Sequence, residues 1–357
     1  MKIMQIIYYP GQGGAEQYAY LLAKYAINDG NKVCFVFGQD GPLVEKVKNL
    51  GCEVFFIKMR LAVDPIAINS LSGLFKTWRP DIVHTHFMRE NFIAIAANKL
   101  TPVKAIFSTV HRIEPKTKIQ AAFNKTYSKG LTKFIAVSEI AKEYLINEGI
   151  NEHRIVVIPN GAEIKKFDKN RIRKEIGIDK TTKLISCVAR FTEEKGHGCL
   201  IDAFSKIKDK KAKLVLVGSG ELFEKMKTRV KNKKLDKRVI FTGGRDKGYE
   251  VIGISDITVQ PSKIETFSIT TLEAMLQRIP IIASDIPAFK RLLGQNLGLL
   301  FKKGNSNDLA EKLDFALTNE KTMNKMAQKA YSYAKDRYTT EIMWQKTNKL
   351  YHRYLGK

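Results

Sequence analysis

The sequence predicts an α/β protein built from two Rossmann-like, doubly wound parallel-sheet domains facing a central cleft. Three observations predict it. Short apolar runs of strand length alternate with stretches of helical periodicity. The alternation starts afresh in the second half. The length of 357 residues exceeds what one hydrophobic core usually organises. The expected division is 1–163, then 164–337, with 338–357 as a C-terminal helix packing back on the first domain.

In the first half the expected strands are Lys2–Tyr9, Lys32–Phe37, Cys52–Ile57, Ile82–His84, Ala105–Val110, Phe134–Val137 and Ile155–Ile158. Helical stretches fall between them at Ala15–Asn28, Pro42–Leu50, Ile66–Trp78, Phe92–Leu100, Lys118–Lys129 and Glu139–Gly149. The polar, weakly periodic segment NGAEIKKFDKNRIRKEIG from Asn160 reads as an inter-domain linker. The second set of strands is Lys183–Val188, Lys213–Val217, Val239–Phe241, Ile257–Gln260 and Ile279–Ser284. Its helices are Cys199–Lys206, Glu221–Lys231, Leu272–Gln277, Asn307–Leu317 and Lys321–Tyr333. Thr340–Leu355 closes the chain as an amphipathic helix. Ligands of such sheets bind beyond the carboxyl ends of the strands, so function is sought in the loops there.

Composition narrows the class. Apolar residues at 44% and charged residues at 27% exclude a disordered chain. Lys plus Arg number 61 against 36 Asp plus Glu, a net charge of +25. That surplus points to a polyanionic partner or to compositional drift. Most of it lies at 165–247, with 25 basic against 11 acidic residues. No nucleic-acid-binding motif accompanies it, and aromatics do not alternate with basic residues. The four scattered cysteines suit neither a disulfide framework nor a zinc site and fit a reducing, cytoplasmic compartment. No apolar run approaches the ~20 residues of a membrane span.

Several segments carry candidate chemistry. Gly11-Gln12-Gly13-Gly14 follows the first strand and opens a helix, a place for close backbone approach to a phosphate or simply a tight connection. His84, His86 and His111 lie at strand ends, and the loop of His111 faces the expected cleft. Arg190 and Lys195 straddle the loop after ISCVAR, as a diphosphate clamp or, with Glu193 and Glu194 between them, as a solvated loop. Gly218 lies in a second close-approach turn. In ETFSITTLEAM, Glu265 sits in a loop and Glu273 in a helix. The amides of Ser268, Ile269 and Thr270 lie at that helix start, where Glu273 also offsets the dipole.

In order and spacing these segments resemble glycosyltransferase family 4, the retaining, nucleotide-sugar-dependent enzymes of GT-B fold. The pieces are GGAE, PDIVHTHF, the His111 loop, AVSE, VVIPNG, VARFTEEKG, LVLVGSG, VIFTGG, DITVQPS, the two glutamates, IPIIASDIPA and LGLLFKKGNSNDLAEKL. The resemblance implies an acceptor-binding first domain and a donor-binding second domain. It implies that Arg190 and Lys195 hold the donor diphosphate, Glu273 the ribose hydroxyls and Glu265 the sugar hydroxyls. Gly218, Phe267, Ser268, Ile269 and Thr270 complete the donor site. His111 contacts the transferred sugar, Gly13 and Gly14 close over diphosphate and acceptor, and Asn160 lies at the domain seam. Thr266-Phe267-Ser268 replaces the family's usual Gly-Phe-Gly, and Lys290 and Arg291 stand where an acidic residue is common.

The implied reaction moves a hexose or N-acetylhexosamine, with UDP favoured over GDP, to a hydroxyl of a glycan or lipid-linked acceptor in cell-surface polysaccharide synthesis. No Asp-x-Asp occurs, so neither metal nor other cofactor is expected. The alternatives are a sugar-nucleotide epimerase or hydrolase on the same fold, and a non-enzymatic polyanion-binding protein. Nucleic acid is not an expected partner. Lys116, Lys118, Lys125, Lys129 and Lys133 beside Ile119, Phe123, Tyr127 and Leu131 read either as a helix on the inner face of an anionic membrane or as one packed on its own sheet.

Overall fold

The computed structural model describes residues 1–11, 13–61, 64–113, 125–126, 128–245, 247–294 and 296–356. The chain divides into two compact units, one of residues 1–161 and 340–357, the other of residues 162–339.

The first unit is built on a seven-stranded sheet: β1 (Lys2–Ile7), β2 (Lys32–Phe37), β3 (Glu53–Phe56), β4 (Ile82–Thr85), β5 (Ala105–Val110), β6 (Lys133–Ala136) and β7 (Ile155–Val157). All pairings are parallel, in the order β3-β2-β1-β4-β5-β6-β7. Among the described residues before the unit boundary its helices are α1 (Gly14–Asn28), α2 (Pro42–Lys48), α3 (Pro65–Trp78), α4 (Met88–Leu100) and α5 (Glu139–Asn147). Near-continuous apolar runs form these strands because a parallel sheet is covered on both faces. Strand order reverses between β1 and β4, a topological switch point.

The C-terminal helix, α14 (Thr340–Leu355), belongs to this unit. Met343, Trp344, Leu350 and Tyr351 enter the same core as Tyr18 and Leu22 of α1. Trp344 Nε1 donates to Asp29. Burying each large aromatic contributes about 1.5–3 kcal/mol, enough to fix a helix remote in sequence.

The second unit carries six parallel strands: β8 (Leu184–Val188), β9 (Lys213–Val217), β10 (Val239–Gly243), β11 (Ile257–Gln260), β12 (Ile281–Ser284) and β13 (Leu299–Phe301). Their order is β10-β9-β8-β11-β12-β13, with the switch point between β8 and β11. Eight helices of this unit lie among the described residues: α6 (Lys169–Glu175), α7 (His197–Lys206), α8 (Phe223–Asn232), α9 (Gly248–Gly253), α10 (Ile269–Leu276), α11 (Pro287–Leu293), α12 (Ser306–Thr318) and α13 (Glu320–Lys335).

The segment from Asn160 is not a bare linker. Helix α6 forms inside it, capped by Asp168, whose carboxylate accepts from the amides of Asn170 and Arg171 at 2.9 and 3.1 Å. Ile172 is fully buried in one cluster with Val251 and Ile254, and Phe167 packs against them. One apolar turn among basic residues carries too weak a period to show in sequence. Asp168→Ala is expected to cost about 1 kcal/mol, read as a lowered thermal midpoint. Strand β13 and helices α9 and α11 were also not expected. Each is only one or two turns or three residues long, although Pro287 at the first position of α11 is a start signal.

The helix expected at Lys118–Lys129 falls largely outside the described residues, with Lys116, Lys118, Ile119, Phe123 and Tyr127. Cys34, Cys52, Cys187 and Cys199 are free thiols. Among the described residues, no helix is long and apolar enough to cross a membrane.

Candidate functional site

In the second unit the candidate residues gather at the switch point. Arg190 and Lys195 follow β8, Gly218 follows β9 and Glu265 follows β11. The three loops meet backbone to backbone. Gly218 has φ +147°, and a Cβ there would fall on the Ala189 carbonyl oxygen. A Cβ at Gly220 would lie 2.7 Å from the Phe191 carbonyl oxygen, and one at Gly196 would strike that of Pro261. The amide of Lys263 donates to the Glu194 carbonyl at 2.7 Å, and its ammonium pairs with Glu193. Gly218→Ala therefore meets both a disallowed φ and a carbonyl. It is expected to destabilise by about 1–3 kcal/mol, checked by chemical denaturation.

These contacts bring Lys195 onto Glu265 as a mostly buried ion pair. Ser262 Oγ donates to the same Glu265 oxygen at 3.3 Å. Arg190 does not join them. Its guanidinium is about half exposed and lies 3.4 Å from Glu194, four residues on. The two cations thus hold separate carboxylates rather than closing on one another as a clamp.

Beyond Glu265, Phe267 is buried with its ring edge-on to Tyr338, centroids 5.6 Å apart. Ser268 has φ +78° and caps α10, its Oγ accepting from the Thr271 amide at 3.4 Å. The first-turn amides of Ile269 and Thr270 have no carbonyl within the helix and carry its positive end. Glu273 stands one turn further. Burial pushes its carboxyl up to about 7, opposed by the charge of Lys165. Lys165 Nζ sits 4.4 Å from the ring centroid of Tyr249. Neither Lys165 nor Tyr249 was singled out from sequence, since their contact with this helix is not local.

His197, which opens α7, was also missed. Its ring stacks on Phe191 at 4.2 Å between centroids. Burial, then the neighbouring Lys195 charge, lowers it to about 4.

In the first unit, Gly13 caps α1 in extended conformation and Gly14 is its first residue. Asn160 is buried with Oδ1 unpartnered, immediately before the unit boundary. His111 follows β5 and joins two histidines read from sequence as strand-end residues. The rings of His84 and His86 stack at 4.8 Å and those of His86 and His111 at 5.3 Å, with Tyr18 edge-on to all three. Burial lowers His84 and His111 to about 3 and His86 well below its ordinary value. All three are therefore neutral at pH 7.

Glu90 is a further group that sequence reading passed over. It is 1% exposed in the first turn of α4, and Oε1 accepts from the Tyr8 amide at 2.7 Å. Burial raises its carboxyl. Its only sequence signal was an acidic residue beside the apolar run of Phe92, a common helix-start pattern. Beside His86 and His111, a recess of about 120 Å³ is lined by Phe92, Ile95, Leu131 and Leu145.

Each unit matches a described family. Residues 12–166 match the model of Glycosyltransferase Family 4, and residues 168–333 that of Glycosyl transferases group 1. The chain is 24% identical over 351 residues to the UDP-Gal:alpha-D-GlcNAc-diphosphoundecaprenol alpha-1,3-galactosyltransferase of Escherichia coli, covering 92% of this chain and 90% of that protein. It is 26% identical over 356 residues to the N,N'-diacetylbacillosaminyl-diphospho-undecaprenol alpha-1,3-N-acetylgalactosaminyltransferase of Campylobacter jejuni, covering 92% and 93%. Among solved structures, a glycosyltransferase from Rickettsia africae superposes with a TM-score of 0.88 at 22% identity over 99% of this chain and 98% of that one. Anabaena Alr3699/HepE in complex with UDP-glucose gives 0.88 at 19% identity over 98% and 99%.

Proposed function

Because this chain belongs to the group 1/family 4 glycosyltransferases and has the GT-B fold, we propose that it is a retaining, metal-independent hexosyltransferase. The reaction moves a hexose or N-acetylhexosamine from a UDP-sugar to a hydroxyl of a glycan or lipid-linked acceptor in cell-surface polysaccharide or glycolipid synthesis. The observation that carries this reading is the Lys195–Glu265 pair, held where three strand-end loops meet at a switch point.

The chemistry follows from the charges. A departing nucleoside diphosphate gains negative charge in the transition state. Lys195, a mostly buried cation, is suited to meet it, and the positive end of α10 adds to the same role. Arg190 supplies a fork that leaves its exposed contact with Glu194 when a phosphate arrives. Glu265, once Lys195 turns to phosphate, is free to accept from sugar hydroxyls. Glu273 accepts from ribose hydroxyls in its ionised form. The departing oxygen assists deprotonation of the acceptor hydroxyl on the same face, which retains configuration. With no Asp-x-Asp in the sequence, side chains and helix amides carry the leaving charge.

Names of relatives support the donor and acceptor classes: UDP-sugars in the Escherichia coli and Anabaena proteins, diphosphoundecaprenol-linked acceptors in the Escherichia coli and Campylobacter jejuni proteins. A lipid-linked acceptor lies in a bilayer, and a net charge of +25 favours an anionic surface. We therefore place the enzyme peripherally on the inner face of the membrane. Sedimentation with anionic but not neutral liposomes is the expected result.

The deciding experiment is a thermal-shift screen of nucleotide sugars, followed by product analysis with lipid-linked acceptors. Transfer with retention supports the reading. Acceptor-independent release of free or epimerised sugar overturns it in favour of a hydrolase or epimerase.

A further inference from the structure

The histidine stack contains a directed chain of hydrogen bonds. Gln5 lies on β1, paired in register with His84 of β4, and His86 follows at the end of that strand. Gln5 Oε1 lies 2.8 Å from His86 Nε2, and His86 Nδ1 lies 3.0 Å from His111 Nε2. Gln5 and His86 are 2% and 1% exposed, so solvent does not compete for their own atoms. His84 stands outside the chain. Its Nδ1 faces the Tyr351 hydroxyl and its Nε2 the Thr109 hydroxyl at 2.7 Å.

A neutral imidazole carries one N–H, and an amide oxygen only accepts. His86 must therefore hold its proton on Nε2, since otherwise two lone pairs would face each other at 2.8 Å. That leaves His86 Nδ1 as an acceptor, so His111 must donate from Nε2. The remaining nitrogen of His111, Nδ1, is left with a bare lone pair. We propose that Gln5 and His86 are positioning residues that lock His111 in the Nε2–H tautomer, making its Nδ1 an obligate hydrogen-bond acceptor for a substrate hydroxyl.

Burial supports the chain, because it keeps the His86 and His111 rings neutral and so preserves its direction. The stacked rings and the edge of Tyr18 hold the planes in register. The use of the lone pair on a sugar hydroxyl rests on the glycosyltransferase reading. The tautomer itself does not. An acceptor-only group such as a carboxylate finds no donor at this nitrogen, so the chain selects for a hydroxyl there.

The test is nitrogen-15 NMR of the histidines in the full chain without nucleotide, followed by steady-state kinetics. His111 is expected to show a protonated Nε2 and an imine-type Nδ1. Gln5→Met frees His86 to place its proton on either nitrogen and should mix the His111 tautomers. It should also lower kcat about tenfold or more while nucleotide affinity holds, as when the orienting partner of a metal-bound imidazole is removed. His86→Asn keeps an amide oxygen near the position of Nδ1. It should preserve the tautomer and recover most of the activity that His86→Leu loses. A His111 protonated on Nδ1, or a Gln5→Met variant with an unchanged tautomer, overturns the chain. A changed tautomer with unchanged kcat overturns its functional role. If no sugar is transferred to any acceptor, the glycosyltransferase reading fails while the NMR result still decides the tautomer.

Discussion

Lys195→Ala is expected to lower kcat by about 10²–10³, roughly 3–4 kcal/mol, with a much smaller change in the affinity for free nucleotide. The reason is timing. A diphosphate bound in the ground state shares its charge with the sugar ester, and the full leaving charge appears only as the bond breaks. A cation placed at that oxygen acts mainly on the transition state. The structure adds a second consequence. Lys195 and Glu265 are a mostly buried ion pair, so removing the ammonium strands a carboxylate in a dry site. That cost should lower stability as well. Lys195→Ala, Glu265→Gln and the double variant form a cycle that separates the two effects. If the loss is only in stability, with kcat intact in the folded fraction, Lys195 has no catalytic role. A raised KM with unchanged kcat would also count against it.

Glu273 should impose a pH dependence on nucleotide binding that disappears in Glu273→Gln. Burial holds this carboxyl near 7. Ribose hydroxyls donate to the ionised form, so binding should weaken as pH falls below about 7. The slope should approach tenfold per pH unit, with proton release on binding below about pH 7 that fades above it. Titration calorimetry in buffers of different ionisation heat measures both. An affinity that stays flat from pH 5.5 to 8 would remove Glu273 from the ribose. The same group sets a stability effect of defined sign. Its folded value lies above its ordinary value of 4.5, so the native state binds the proton more tightly than the unfolded chain. The native state is then favoured fully below about 4.5 and loses that advantage as pH rises through about 7. Glu273→Gln should consequently stabilise the empty protein at pH 8, by up to about 3 kcal/mol, with the effect vanishing as pH falls below about 4.5.

Much of the fold was legible because its strands are buried on both faces. Lys32–Phe37, Ala105–Val110, Lys213–Val217 and Ile257–Gln260 were placed at their observed ends, since a parallel strand writes itself as a short apolar run bounded by polar turns. Thr340–Leu355 was equally plain from its helical period. Failures fell where a short element owes its form to neighbours. Helix α6 rests on one buried isoleucine and an aspartate cap. Strand β13 exists because β12 is there to pair with it.

The candidate residues were legible as types at strand ends, but not as partners. That Lys195 would lie on Glu265, seventy residues further along the chain, depends on Gly196 letting its loop touch Pro261 in the loop of Glu265. That Glu273 would titrate near neutrality depends on burial, which no spacing encodes. His84 and His86 looked like ordinary strand-end histidines until β5 placed His111 against them and β1 placed Gln5 behind. Sequence by itself determined the alternation, the two parallel sheets and the chemical types at their carboxyl ends, because periodicity and composition are local properties. Tertiary structure alone decided which charges pair, which carboxyl holds its proton and which histidine nitrogen carries the hydrogen, because those depend on desolvation and on atoms brought together from distant strands.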